Sequence, residues 1–81
     1  MNYTDYYIYL HTDINGIPFY VGKGRARRAY KKSGRTKKWT ERSKDGYTIS
    51  FLHQSLTEDD AYAMEDKYIN DPPEGWELLN H

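Results

Sequence analysis

An α+β domain, α/β in the broad sense, with a small antiparallel sheet flanked by helices is what the sequence predicts, on three observations. Apolar and polar residues alternate by twos on both sides of Asn15-Gly16, and they alternate again over Tyr47 to His53. After Thr57 the apolar spacing changes to the three-and-four step of a helix. With 81 residues there is room for one domain, 1–81, close to the size at which a core without disulfides or structural metal is marginal. Only 37% of residues are hydrophobic, but nine Tyr, two Trp and two Phe supply bulky rings, so the core is expected to be aromatic.

The elements follow in order. Tyr6 to His11 reads as a strand, with Tyr6, Ile8 and Leu10 on one face and Tyr7, Tyr9 and His11 on the other. Ile17 to Val21 repeats the pattern, and Asn15-Gly16 between them predicts a type I′ hairpin turn. Pairing centred there sets Leu10 opposite Val21 and His11 opposite Tyr20. The Ile8/Leu10 and Phe19/Val21 sets then share the core face, and Tyr7, Tyr9 and Tyr20 gather on the other, non-core face. Gly22-Lys23-Gly24 interrupts the strand. A helix is predicted over Arg25 to Ser33, with Ala26, Ala29, Tyr30 and Ser33 inward and, at about 100° per residue, Arg25, Arg28 and Lys32 outward. A second short helix or ordered loop is expected over Thr36 to Arg42, pinned by Trp39. Asp45-Gly46 turns into the third strand, Tyr47 to His53. The last helix, Glu58 to Ile69, has Thr57 as N-cap, Asp60 in a capping-box position and Asp71-Pro72-Pro73 as its stop. Its apolar stripe is Ala61, Met64, Tyr68 and Ile69, and Glu65 falls inside it. A carboxylate on a core-facing stripe needs a cation, a metal or hydrogen-bond donors. A structural salt bridge and a functional carboxylate are both open there.

Formal net charge is zero, yet residues 23–44 hold eleven Lys and Arg against one acid, Glu41. Such a segment is either a solvated basic face or a phosphate-backbone contact, and its interleaved Ala26, Ala29, Tyr30 and Trp39 suggest an anchored surface. The absence of Cys excludes disulfides, Cys-based zinc sites and thiol nucleophiles. His11, His53 and His81 lack zinc-site spacing and are expected to be ordinary surface or strand residues. Paired carboxylates for glycoside chemistry, Ser-His-Asp and the Walker loop are missing too, and Gly22-Lys23-Gly24 alone is a weak phosphate-loop signal. Met1 to Asp5 has no signal-peptide character and no apolar run approaches the ~20 residues of a membrane span, so a cytoplasmic setting is expected.

Tyr7-Ile8-Tyr9, Tyr20-Val21-Gly22-Lys23-Gly24, Arg28-Ala29-Tyr30, Ala63-Met64-Glu65-Asp66-Lys67-Tyr68-Ile69 and Leu78-Leu79-Asn80, in that order, resemble the GIY-YIG nuclease superfamily, most closely its small phage-type members. The likeness spans nearly the whole chain. It implies a three-stranded antiparallel sheet flanked by helices, and an endonuclease or nicking enzyme that hydrolyses DNA phosphodiesters with one divalent ion, Mg²⁺ or Mn²⁺. Carried over by residue, Glu65 resembles the metal ligand and Arg28 the scissile-phosphate contact. Tyr9 and Tyr20 match the two tyrosines that orient or deprotonate the attacking water, and Lys23 stands where several relatives carry a Lys near the metal. Gly22 belongs to the motif, and Asn80 resembles the late Asn that supports the site. Arg25, Arg27, Lys31, Lys32, Arg35, Lys37 and Lys38 are the expected DNA contacts.

Two departures matter: Tyr7 stands at the first Gly of the motif, and Lys32 stands where many members have His. Lys23, Arg28 and the metal are expected to favour a tyrosine phenolate, with Tyr20 as base and Tyr9 as its positioning partner. Relatives often carry a separate recognition domain, so specificity is expected from the basic segment, a partner protein or a homodimer. An inert nucleic-acid-binding module and a protein-binding inhibitor are the alternatives.

Overall fold

A computed structural model describes residues 4–80. Its sheet has three antiparallel strands, β1 (Tyr6–Asp13), β2 (Pro18–Arg25) and β3 (Tyr47–Leu56), in the order β2-β1-β3. A 3₁₀ turn (Arg28–Tyr30) and helix α1 (Lys37–Ser43) lie between β2 and β3, and α2 (Glu58–Asn70) follows. The fold is therefore of the α+β type with a three-stranded sheet and two helices.

The hairpin register is the predicted one, Leu10 opposite Val21 and His11 opposite Tyr20. The turn is different. Gly16 N–H donates to Asp13 O at 3.0 Å, so the central residues are Ile14 and Asn15, and Gly16 alone takes positive φ (82°). This is a turn closed by a left-handed glycine, with a register shift after His11. Asp13, nearly buried, fixes it by accepting from Asn15 N–H and Ile17 N–H. Those bonds and the Arg42 guanidinium hold its carboxyl below the usual range. The shift also moves Phe19 off the predicted face, and its ring meets His11, Trp39 and Tyr47.

α2 covers one face of the sheet. Ile8, Leu10, Val21 and Ala61 form that core, flanked by Met64, Tyr68 and Ile69, the predicted stripe, with Trp76 stacked on Tyr68. Each fully buried aliphatic side chain there stabilises the fold by ~1.5–3 kcal/mol. Thr57 caps α2 by accepting from Asp60 N–H. The opposite face, expected to be outside the core, is a second core. Tyr7, Tyr9 and Ala29 are buried there against Tyr20, Ile49 and Phe51, and Trp39 of α1 is buried at its end.

The predicted helix over Arg25 to Ser33 does not form. β2 runs on through both glycines to Arg25, because the rings opposite them occupy the missing side-chain space. A Cβ at Gly22 would stand 2.5 Å from Tyr9 Oη, and one at Gly24 3.0 Å from Tyr7 Cε1. Ala26 then takes φ 53°, outside the helical region. Tyr7 Oη donates to Ala26 O and accepts from Ala29 N–H, each at 2.9 Å. It thereby occupies the carbonyl that a helix would have used, and only the short 3₁₀ turn remains. Arg25, Arg28 and Lys32 consequently share no helix face, and Tyr30, predicted inward, is exposed.

Candidate functional site

β2 is the strand about which the expected site residues lie. The Tyr9 ring covers Gly22, and the Tyr20 ring is 6.2 Å from it, between centroids. Arg28 follows two residues after the left-handed Ala26, with its Cβ and Cγ against Gly24. It lines an open depression of about 510 Å³ together with Arg27, Tyr30 and Lys31. From the other layer, Glu65 reaches the outer edge of β2, where its Oε2 accepts from Lys23 N–H at 2.7 Å. Asn80 Nδ2 donates to Val21 O at 2.6 Å on that same edge. Among the described residues Glu65 forms no ion pair, so a backbone donor answers for its place in an apolar stripe.

The tyrosines differ in environment. Tyr9 is 1% exposed and its oxygen accepts from Arg35 Nη1 at 3.0 Å. Burial pushes its hydroxyl above the ordinary phenol value. The Arg35 bond and the charges of Arg35 and Arg28 pull the other way without prevailing. Tyr20 is half-buried, stacked on His11 at 5.8 Å, with the Arg35 guanidinium 5.3 Å from its ring centroid. Lys23 does not join them. Its ammonium lies 3.6 Å from Glu58 and 5.8 Å from the Tyr6 ring, and the cation over the Tyr20 ring is Arg35 instead.

The basic segment divides. Arg25 pairs with Asp5, Arg42 with Asp13 and Glu77, and Lys23 with Glu58, whereas Arg35 turns inward. The other seven, including Arg27, Arg28, Lys31, Lys32, Lys37 and Lys38, form no ion pair with a described residue. All but Arg28, which is half-buried, are exposed.

Two side-chain oxygens beside the edge of β2 have no hydrogen-bond partner among the described residues. Glu65 keeps Oε1 without a partner among the described residues, and Asn80 Oδ1 is buried with none. Among the described residues no three His, Asp or Glu gather as a closed cage. One carboxylate oxygen and one amide oxygen suit Mg²⁺ or Mn²⁺, hard ions that accept oxygen donors and, for Mg²⁺, retain much of their hydration.

Sequence reasoning missed a second constellation. His11 is fully buried, its Nδ1 accepting from Trp39 Nε1–H at 3.0 Å and its Nε2 meeting Ala29 O at 2.8 Å. Those partners require a neutral ring protonated on Nε2. Burial lowers its pKa from 6.5 to about 4. His11 shares the parity of Tyr7 and Tyr9 in β1, the face expected to lie outside the core, so its burial was not legible, and nothing in the sequence pointed to Arg35 or to the hydroxyl of Tyr7 as organisers. His53 bonds Tyr68 Oη at 3.0 Å, and His81 lies outside the described residues. Comparison with protein-family models, with curated proteins and with solved structures returns no match for the chain.

Proposed function

We propose that the chain is a metal-dependent DNA endonuclease or nicking enzyme of the GIY-YIG kind. The observation that carries this reading is the meeting of two layers on β2. Glu65 bonds the backbone of Lys23, next to the glycine on which Tyr9 lies, with Tyr20 and the Arg28 depression on the other side. A carboxylate, two phenols and an unpaired guanidinium around one strand edge suit hydrolysis of a phosphodiester.

The chain's own groups divide the work. Arg28, free of acidic partners among the described residues, binds the phosphoryl oxygens and offsets the charge that grows on them. The less buried Tyr20, ionised to its phenolate, takes the proton of the attacking water on Oη and returns to the neutral phenol. Tyr9, held neutral by burial and fixed by Arg35, orients that water. Glu65 Oε1, with Asn80 Oδ1 on the same edge, would hold Mg²⁺, which supplies charge stabilisation at the leaving 3′ oxygen. The exposed cations of residues 27–44 take the flanking backbone.

The test is nicking of supercoiled plasmid by the purified chain. Mg²⁺ or Mn²⁺ should convert plasmid to open circle, and a chelator should stop the conversion. A second reading, nucleic-acid binding without turnover, draws on the near-complete burial of Tyr9. DNA retention in EDTA with no cleavage in either metal would favour it, and absence of both would favour a protein-binding role.

A further inference from the structure

By its place in the basic segment Arg35 is expected to be one more backbone contact, and its geometry argues otherwise. All three guanidinium nitrogens have acceptors inside the fold. Nε donates to Lys31 O at 2.9 Å, Nη2 to Arg28 O at 3.1 Å and Nη1 to Tyr9 Oη at 3.0 Å. Its Cζ lies 5.6 Å from the Tyr9 ring centroid, 5.3 Å from that of Tyr20 and 5.4 Å from that of Trp39. We infer that Arg35 is the positioning residue of the proposed site, locking the Arg28 turn onto the tyrosine pair, rather than a phosphate contact. This rests on the nuclease reading.

The need for such a residue follows from the missing helix. In a helix Arg28 would be fixed by a ladder of backbone bonds, whereas the 3₁₀ turn is three residues long. Side chains replace the ladder. Tyr7 grips the turn at Ala26 O and Ala29 N–H, and Arg35 grips it at Arg28 O. Because Nη1 of the same guanidinium ends on Tyr9 Oη, the turn and the tyrosine cannot move independently. That donor occupies a lone pair of Tyr9, so the phenol proton must point elsewhere, which fixes the direction in which Tyr9 can donate. The task needs a planar fork. A lysine ammonium carries the charge but cannot span two carbonyls and a phenol while stacking on rings.

The experiment compares Arg35→Lys and Arg35→Gln with Lys31→Gln. It measures single-turnover cleavage of a labelled duplex in Mg²⁺, and binding of the same duplex in EDTA across a salt series. Both Arg35 variants should slow cleavage by ~10- to 100-fold, as misplaced catalytic groups do. Both should leave the slope of log affinity against log salt unchanged, while Lys31→Gln should reduce it by about 0.9. In a Tyr9→Phe background, Arg35→Gln should cost less than in the wild type. Full activity in Arg35→Lys, or a salt slope reduced as by Lys31→Gln, overturns the inference. If the wild type cuts no DNA, the nuclease reading fails separately, and the clamp is still read by NMR. The Arg35 Nε–H should then exchange with solvent more slowly than that of Arg27, and Arg35→Lys should shift the Tyr9 and Tyr20 ring signals. Equal exchange for the two arginines overturns it.

Discussion

At the scale of single residues, Glu65 accepts from a backbone N–H and is the metal ligand of the proposed site, and a substitution can separate the two. Glu65→Gln keeps an oxygen for Lys23 N–H but loses the charge, so a folded variant with wild-type thermal stability and no metal-dependent cleavage is expected. Unchanged cleavage would remove Glu65 from the site. Arg28→Ala should cost turnover on the order of 100-fold with little loss of DNA affinity, because Arg28 is one of many cations without an acidic partner among the described residues, and with the inward-turned Arg35 one of the two whose charge reaches Tyr9. Equal losses of both would make it a backbone clamp. At Gly22 the argument is steric. A Cβ would stand 2.5 Å from Tyr9 Oη, so Gly22→Ala should destabilise the fold by about 1–3 kcal/mol in urea unfolding. Glu65, Gly22 and the tyrosines were legible in sequence because each broke or kept a local pattern. Arg35 was not, since a cation among ten others gives no sign that it will turn inward.

Among the elements, the three strands and α2 were legible for the same reason: period two and the three-and-four step are properties of the chain near each residue. α1 was legible, as a short helix or ordered loop, through Trp39, and the cap that makes it a helix is Thr36. The helix predicted over Arg25 to Ser33 failed because what decides that segment comes from β1, nearly twenty residues away, where Tyr7 and Tyr9 fill the glycine positions and the Tyr7 hydroxyl takes Ala26 O. No local pattern records that. The link between α1, β1 and the 3₁₀ turn runs through His11, which gives the assembly a pH dependence. The unfolded ring binds a proton below 6.5, and the folded ring resists it down to about 4. This contribution is complete above pH 6.5 and is lost as pH falls towards 4, a difference on the order of 3 kcal/mol. Thermal melts from pH 7.5 to pH 4 should show the decline, with the His11 ring titrating near 4 by NMR. A His11 titration near 6.5 in the folded protein would refute the buried assignment.

For the whole molecule, the sheet separates charge as well as cores. The segment packed over the tyrosines carries seven cations without an ion pair among the described residues, while α2 on the opposite face begins with Glu58, Asp59 and Asp60. A neutral chain is thereby polarised, and a polyanion should approach by one side. Lys37→Gln with Lys38→Gln should lower the salt slope of DNA binding by about 0.9 for each phosphate left without its cation. An unchanged slope would place the nucleic acid elsewhere. The covering of the outer edge of β2 also has a meaning in time. Pro18 O, Phe19 O, Val21 O and Lys23 N–H are satisfied by Glu77 N–H, Leu79 N–H, Asn80 and Glu65. Asn80 follows Val21 by 59 positions. The β1–β2 hairpin, a local structure, can therefore form on the ribosome well before its edge is sealed. Through that interval the bare strand is open to pairing with other nascent chains. Removing the late seal should show first as lower soluble yield during synthesis, before any loss of function is measurable in the protein that survives.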